Sequence, residues 1–315
     1  MPRYLSVYMT VHYYPEQLPR FTRSVITIGT FDGVHHGHQK IIDALLREAS
    51  AVSGESLIIT FHPHPRKIVN PHSSLQLINT LSEKIFLLEK KGIDHLVVVP
   101  FTEAFSRLTA EAYIKDFLVH HFSPHTVIIG YDHHFGKDRG GNISLLQQQQ
   151  KTWNYELLEI PKHVLNEISV SSTGIRNAIL NGDASVARRL LGYSFFFEGK
   201  VVGGDKIGRT LGFPTANLVY TDSDKIHLGE GVYAVIVSIN GEKKRGMLSV
   251  GKRPTLNDTE ERVEVNIFDF SEDIYGSVIQ VEVEAFLRKQ EKYTSLEALT
   301  AQLVLDREAA LSVLN

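Results

Sequence analysis

Ile28-Gly29-Thr30-Phe31-Asp32-Gly33-Val34-His35-His36-Gly37-His38-Gln39 is the stretch on which the fold of the first half of the chain turns. The apolar segment leading into it, Val25 to Ile28, reads as a buried strand. The segment leaving it carries Ile41, Ile42, Leu45 and Leu46 at helical spacing. Strand, glycine loop and helix together offer backbone N–H groups and a helix N-terminus to a phosphate. Gly29, Gly33 and Gly37 let backbone approach a ligand closely. His35 and His38 add side-chain donors that can follow charge on a phosphate in transfer. A polar loop with purely structural histidines is the competing reading, and the placement between strand and helix favours phosphate chemistry. Val34 and His36 are given no role.

Working outward, the first half alternates. Val25–Thr30, Ser56–Phe61, His95–Val99 and Thr126–Gly130 read as short strands, and Gln39–Ser50, Leu81–Lys91 and Ala110–His121 as helices. That alternation predicts a Rossmann-like α/β domain with a parallel sheet covered on both faces. Ligands of such sheets sit beyond the carboxyl ends of the strands. The histidine loop, Phe61 to Pro65, Pro100-Phe101 and Gly130 to Asp132 all fall there. Two short helical stretches follow, Thr173 to Leu180 and Ala184 to Leu191, interrupted at Gly182 and Gly192. The domain boundary is placed there, giving 1–183 and 184–315. Beyond it the period changes. Phe195–Val202, Val232–Ile239, Lys244–Val250, Val263–Phe270 and Val278–Phe286 read as strands, with Asn240-Gly241 as a hairpin turn. A terminal helix from Leu296 to Leu314 completes a small antiparallel β-barrel able to fold alone. The Gln147–Gln150 run reads as a solvated helix surface.

The 315 residues are 43% hydrophobic and 22% charged, with a formal net charge of -3. That balance does not point to a nucleic-acid backbone as partner. With no cysteine, disulfides and thiolate metal sites are excluded. No apolar run approaches a membrane span, and the N-terminal residues lack the apolar core of a signal peptide. A cytoplasmic enzyme with no obligatory protein partner is the expectation. Of 15 histidines only His227 lies beyond His163. This fits two domains with different phosphate chemistries, although chance explains it equally well.

Five further constellations carry chemistry. Ser171-Ser172-Thr173-Gly174-Ile175-Arg176 reads by default as a capped helix start; beside the histidine loop, it becomes a second phosphate clamp. Phe61-His62-Pro63-His64-Pro65-Arg66 has prolines that predict extended backbone with His62 and His64 on one face. This is also a metal-ligand spacing, but no third ligand is evident. In Gly130-Tyr131-Asp132-His133-His134-Phe135-Gly136, Asp132 could hold a ribose or base edge, or the loop is simply surface. In Gly203 to Asn217, glycines with Lys206, Gly208 and Arg209 suit a phosphate cradle without being a Walker A loop. Thr215 and Asn217 there supply oxygens suited to magnesium and its phosphate. By composition alone that segment is a Gly-rich hairpin. Finally, strand alternation sets Glu264 and Asn266 opposite Val263, Val265 and Ile267; a solvated glutamate is the default and a catalytic base the alternative.

HxGH in this setting resembles the nucleotidyltransferase superfamily, whose members move an AMP or CMP group. Together with FHPHPR, GYDHHFGKDRGGN, SSTGIR, GRTLGFPTANL, GVYAV, VGKRPT, VEVNIFDF followed by DIYG, and FLRKQEKY, in that order over nearly the whole chain, it resembles the bacterial bifunctional riboflavin kinase/FAD synthetase family. GFPTAN is the most specific of these pieces. The resemblance implies FMN adenylyltransferase activity in the first domain and riboflavin kinase activity in the second, with riboflavin, FMN and ATP as small-molecule partners and Mg2+ as cofactor. It implies catalytic roles for His35, His38 and Arg176 in adenylylation and for Glu264 as the kinase base. ATP contacts are implied at Gly29, Phe31, Asp32, Gly33, His64, Asp132, Ser172 and Thr173, and at Gly208, Thr215 and Asn217 in the barrel. Thr215 and Asn217 would also hold the metal. Two departures stand out. His133 occupies a position that is more often phenylalanine, and the segment before Val25 is several residues longer than usual, expected as an N-terminal arm. The rival readings are a flavin-binding sensor barrel on a different nucleotidyltransferase, and a zinc hydrolase built on the histidine-rich half.

Overall fold

The computed structural model describes residues 8–72, 74–162, 170–204, 207–254 and 259–314. The chain forms two compact units, residues 1–75 with 81–170 and residues 76–80 with 171–315. This cut differs from a single boundary at 183/184, because 76–80 and 171–183 go with the barrel.

In the first unit, β1 (Thr10–Tyr13), β2 (Val25–Ile28), α1 (His36–Ala51), β3 (Ser56–His62), the short α2 (Pro65–Val69), α3 (Leu81–Glu89) and β4 (His95–Pro100) follow in order. A helical segment over 110–122, with Tyr113–Val119 in π-helical form, leads to β5 (Thr126–Gly130), α4 (Ile143–Trp153) and β6 (Glu156–Ile160). The six strands make one sheet in the order β1-β4-β3-β2-β5-β6, every neighbouring pair parallel. Alternate residues of each central strand bury opposite ways. Ile26, Ile28, Leu57, Ile59, Val97 and Val127 pack with Tyr113, Phe117 and Phe122, while Val25, Ile58, Leu96 and Ile128 pack with Ile42 and Leu45 of α1 and Leu88 of α3. Both faces are covered, as parallel strands require. The glutamine run lies on α4, mostly toward solvent as expected. The expected arm contributes an edge strand, since Thr10 to Tyr13 register with His95 to Val98.

The second unit begins with α5 (Ser172–Leu180) and α6 (Ala184–Leu191). It continues as β7 (Phe196–Val202), β8 (Ala216–Tyr220), β9 (Gly231–Ile239), β10 (Glu242–Pro254), β11 (Thr259–Ile267), β12 (Val278–Arg288) and α7 (Leu296–Val313). The strands close an antiparallel barrel in the order β10-β11-β8-β7-β12-β9. Asn240 and Gly241 take positive φ, 51° and 86°, at the β9–β10 turn, the conformation that Asn-Gly supplies at low cost. α7 covers β9, β10 and β12, with Ala310 packed against Ala234, Met247 and Phe268.

Residues 76–80 are tied into this unit by a buried cation. Lys225, 1% exposed, donates from Nζ to Ile78 O at 2.7 Å and Phe196 O at 2.7 Å, beneath the Phe195 ring. Leu77 N–H donates to Asp224 O and Ile226 N–H to Leu77 O. Replacing Lys225 by methionine removes the Nζ donor from two buried carbonyls. The expected cost is about 2–4 kcal/mol of stability in the full-length chain, to be read by denaturant unfolding. An unchanged midpoint would show that the lysine is not needed there.

Candidate active sites

The parallel registers Ile28↔Ile59 and Thr27↔Ile128 put the carboxyl ends of β2, β3 and β5 on the same edge of the sheet, with β3 running three residues further, to His62. The loops after them therefore share one edge of the sheet. Gly29 N–H continues the ladder to Ile59 O at 3.0 Å. The chain then leaves the sheet in a tight turn with Phe31 at φ 48°, Gly33 at φ 92° and Val34 at φ 35°, closed by Val34 N–H to Phe31 O. Two residues with β-carbons held left-handed are costly, and such conformations persist only where the surroundings over-determine them. Phe31, Asp32 and Val34 are all buried. The Phe31 ring packs against Gly29, where a β-carbon would lie 3.2 Å from it, and against the His38 imidazole. Phe31 thus shapes the loop from below.

His35 is the N-cap of α1, its Nδ1 accepting from His38 N–H at 3.3 Å. The two imidazoles stack with centroids 3.7 Å apart and planes at 14°, and a side chain at Gly37 would crowd the His35 ring. Burial pushes His35 down to about 4; burial, with His35 and Lys84 nearby, holds His38 well below the ordinary histidine range. Both rings are therefore neutral at pH 7. Because His35 Nδ1 accepts, its proton sits on Nε2, leaving that nitrogen a donor. His38 Nδ1 is buried without a hydrogen-bond partner among the described residues. A folded-state histidine pKa below its unfolded value favours folding above about pH 6.5 and loses that contribution as pH falls toward about 4. His35 alone predicts about 2 kcal/mol less stability at pH 5 than at pH 7.5, checked by urea unfolding at both values, with a flatter dependence in His35→Gln.

The other loops differ in part from expectation. His62 ends β3 and His64 caps α2, its Nδ1 accepting from Arg66 N–H at 3.1 Å. His64 is itself extended, at φ -60° and ψ 131°, and the helix begins only at the next residue, with Pro65 in its first position. Among the described residues no three His, Asp or Glu side chains group as a metal site. Asp132 is exposed at the end of β5, and its carbonyl bonds the His134 ring. The neighbouring His133 is pushed down to about 4 by burial, and its Nε2 is buried without a hydrogen-bond partner among the described residues. Lys84 of α3 gave no sequence signal. It is 7% exposed and donates to Thr30 O at 2.6 Å and Thr60 Oγ1 at 3.3 Å, directly under the loop.

Ser172, Thr173 and Arg176 lie in the second unit on α5. Ser171 is the cap, its Oγ accepting from Gly174 N–H, so the two following hydroxyl residues occupy the first turn. Arg176 Nε donates to Gln76 O at 2.8 Å.

The barrel carries a cavity of about 600 Å3 whose wall includes Gly208, Thr215, Asn217, Ser249, Glu264 and Asn266. Their meeting follows from register. Glu264 on β11 faces Asn217 on β8 and Ser249 on β10. Val263 and Val265 are buried on the opposite face, as alternation predicts. Glu264 is 28% exposed, with Arg262 Nη1 3.4 Å from its Oε1. Asn266 Nδ2 donates to Pro214 O at 2.6 Å, pinning the segment before Thr215. Glycine is required twice: a β-carbon at Gly208 would strike Phe213 O, and one at Gly204 would strike the Asn217 amide. Ser249 and Gln290, hydrogen-bonded at 2.8 Å, also line the cavity and were not foreseen. Lys206 lies outside the described residues. Thr215 and Asn217 offer neutral hard oxygens on one wall, a donor set that fits a magnesium ion keeping waters and phosphate oxygens as its remaining ligands.

A parallel sheet with a glycine–histidine phosphate loop, and a closed barrel with hydroxyl, amide and carboxylate in one cavity, define a two-unit phosphate-group transferase. Residues 18–174 match the FAD synthetase family and residues 191–314 the riboflavin kinase family. The chain is 36% identical to the bifunctional riboflavin kinase/FMN adenylyltransferase of Haemophilus influenzae over 92% of its length and 94% of that protein's. It is 34% identical to the enzyme of the same name from Bacillus subtilis, over 92% of each. A crystal structure from Streptococcus pneumoniae, described as a macrolide-efflux protein, superposes with a TM-score of 0.84 at 32% identity, covering 95% of this chain and 98% of that one. The chain belongs to the bifunctional riboflavin kinase/FMN adenylyltransferase family and contains both of its enzyme domains. No helix among the described residues is long and apolar enough to cross a membrane.

Proposed function

We propose that the two transfers of FAD synthesis divide between the units. The barrel moves the γ-phosphoryl of ATP to the 5′-hydroxyl of riboflavin, giving FMN and ADP. Glu264 accepts the hydroxyl proton as the oxygen attacks. Thr215 and Asn217 hold the ATP phosphates with the metal, and Gly208 lets the loop backbone close on them. Magnesium held by Thr215 and Asn217 would supply charge neutralisation during transfer. The observation that carries this half is the register that puts Asn217, Glu264 and Ser249 side by side in one cavity.

The parallel-sheet unit joins FMN to AMP. An oxygen of the FMN phosphate attacks the α-phosphorus of ATP, and pyrophosphate leaves. The nucleophile is already anionic, so positioning and charge stabilisation suffice and no strong base is needed. His35 and His38, both neutral, serve as N–H donors to the α-phosphate, with Gly29, Asp32 and Gly33 shaping the loop around it. His64 and Asp132 border the site. The pyrophosphate-binding role that the resemblance implies for Ser172, Thr173 and Arg176 rests on their sequence pattern alone. The chain works as a cytoplasmic enzyme without an obligatory protein or nucleic-acid partner. Incubation with riboflavin and Mg-ATP tests the whole reading: chromatography should resolve FMN, then FAD, with ADP and pyrophosphate. Failure to form either flavin nucleotide overturns it.

A further inference from the structure

The loop Thr30 to His38 holds Phe31 and Val34 left-handed, and something must keep it there. β2 ends at Ile28, so the Thr30 carbonyl has no strand partner. Its oxygen instead accepts from two side chains below it, Lys84 Nζ at 2.6 Å and Thr60 Oγ1 at 3.2 Å, and Lys84 Nζ also reaches Thr60 Oγ1 at 3.3 Å. Lys84 and Thr60 are both buried. A trans peptide is rigid and its C=O and N–H point opposite ways. Holding Thr30 O downward therefore aims the Phe31 N–H up, away from the lysine. The buried ammonium also places a positive charge beneath a loop that must receive a polyphosphate, where low dielectric strengthens the attraction.

We infer that Lys84 is a positioning residue for adenylyl transfer, fixing the Thr30–Phe31 peptide from beneath and supplying the charge that draws the nucleotide phosphates onto the loop. This rests on the reading of the loop as the adenylylation site. The Asp32 carboxylate of the loop acts electrostatically on the lysine, and the lysine in turn acts on His38 of α1. Burial lowers Lys84 to about 8, with Asp32 pulling the other way. ATP binding favours the charged form, so kcat/KM for ATP in adenylylation should fall as pH rises through about 8.

The test uses full-length Lys84→Met, Lys84→Arg and Thr60→Val, assayed for FAD formation from FMN between about pH 6.5 and about pH 9.5, with riboflavin phosphorylation measured in the same samples. Lys84→Met should lose about tenfold to a hundredfold in kcat for FAD formation and several-fold in KM for ATP, with the kinase unchanged. Its kcat/KM should no longer fall above about pH 8. Lys84→Arg, always charged, should retain more activity than Lys84→Met and also lose the alkaline fall. Thr60→Val removes one neutral partner, so it should lose at most about threefold and keep the alkaline fall. Lys84→Met within about threefold of wild type, or with a wild-type pH profile, overturns the inference. Should Lys84→Met fail to fold, wild type and Thr60→Val decide, and the absence of an alkaline fall in both overturns it. The His38→Ala variant separates the two levels. If it makes FAD normally, the site reading fails; if it is crippled while Lys84→Met is not, only the inference about Lys84 fails.

Discussion

His38→Ala is expected to make FMN from riboflavin at the normal rate and to let it accumulate, with FAD formation reduced about a hundredfold or more. The ring lies on the first turn of α1, stacked 3.7 Å from His35. Its neutrality makes it a hydrogen-bond donor to phosphate oxygen and not a counter-charge, so its effect belongs to the transition state, where charge on those oxygens grows. The loss should therefore fall on kcat more than on KM for ATP. His38→Asn, which returns a smaller N–H donor, should recover part of the rate. Riboflavin phosphorylation is the internal control, because the kinase residues lie in another compact unit. Near-normal FAD synthesis by His38→Ala would remove His38 from the mechanism.

The parts of the fold that were readable in advance are those where local and tertiary demands agree. β2, the glycine loop and α1 were legible because a fully buried strand, a turn needing positive φ and an amphipathic helix each leave their own pattern. The barrel was legible from its long alternating strands and the Asn-Gly turn. The edge strands β1 and β6 were not: Thr10–Tyr13 and Glu156–Ile160 are short and partly solvated, and their polar residues resemble loop. β8 was missed because Ala216 to Tyr220 continues directly from a glycine- and proline-rich loop. Its pairing is visible only once β7 and β11 flank it. Residues 76–80 join the second unit through the buried Lys225, through Arg176 and Tyr193, and through backbone bonds, contacts that local pattern cannot reveal. Lys84 was hidden for a related reason. A Glu-Lys pair in a helix ordinarily marks a solvated face, yet Glu83 and Lys84 are the buried side of α3. In the cavity, Asn217 and Glu264 are singled out by the family resemblance, whereas Ser249 and Gln290 come from strand register and from a segment beyond β12 that carries no phosphate signal.

Glu264→Gln is expected to abolish riboflavin phosphorylation while leaving FAD formation from supplied FMN intact. The substitution preserves shape, and the amide oxygen can still accept from Arg262, 3.4 Å away in the native chain. What it removes is the proton acceptor. A primary hydroxyl is a poor nucleophile at neutral pH, so a positioned base contributes about a hundredfold to ten-thousandfold. The loss should appear in kcat. Thr215, Asn217 and the glycine loop are untouched, so KM for ATP should change little. Register sharpens the test. Because Glu264 sits between Asn217 and Ser249, a base there faces the same cavity as the residues assigned to the nucleotide phosphates. Ser249→Ala, which alters the opposite neighbour without removing the carboxylate, should cost far less than Glu264→Gln. A solvated surface glutamate would give almost no change in either assay. If kinase turnover in Glu264→Gln stays within a few-fold of wild type, the base must be sought elsewhere on the cavity wall, and the carboxylate's role reduces to holding Arg262.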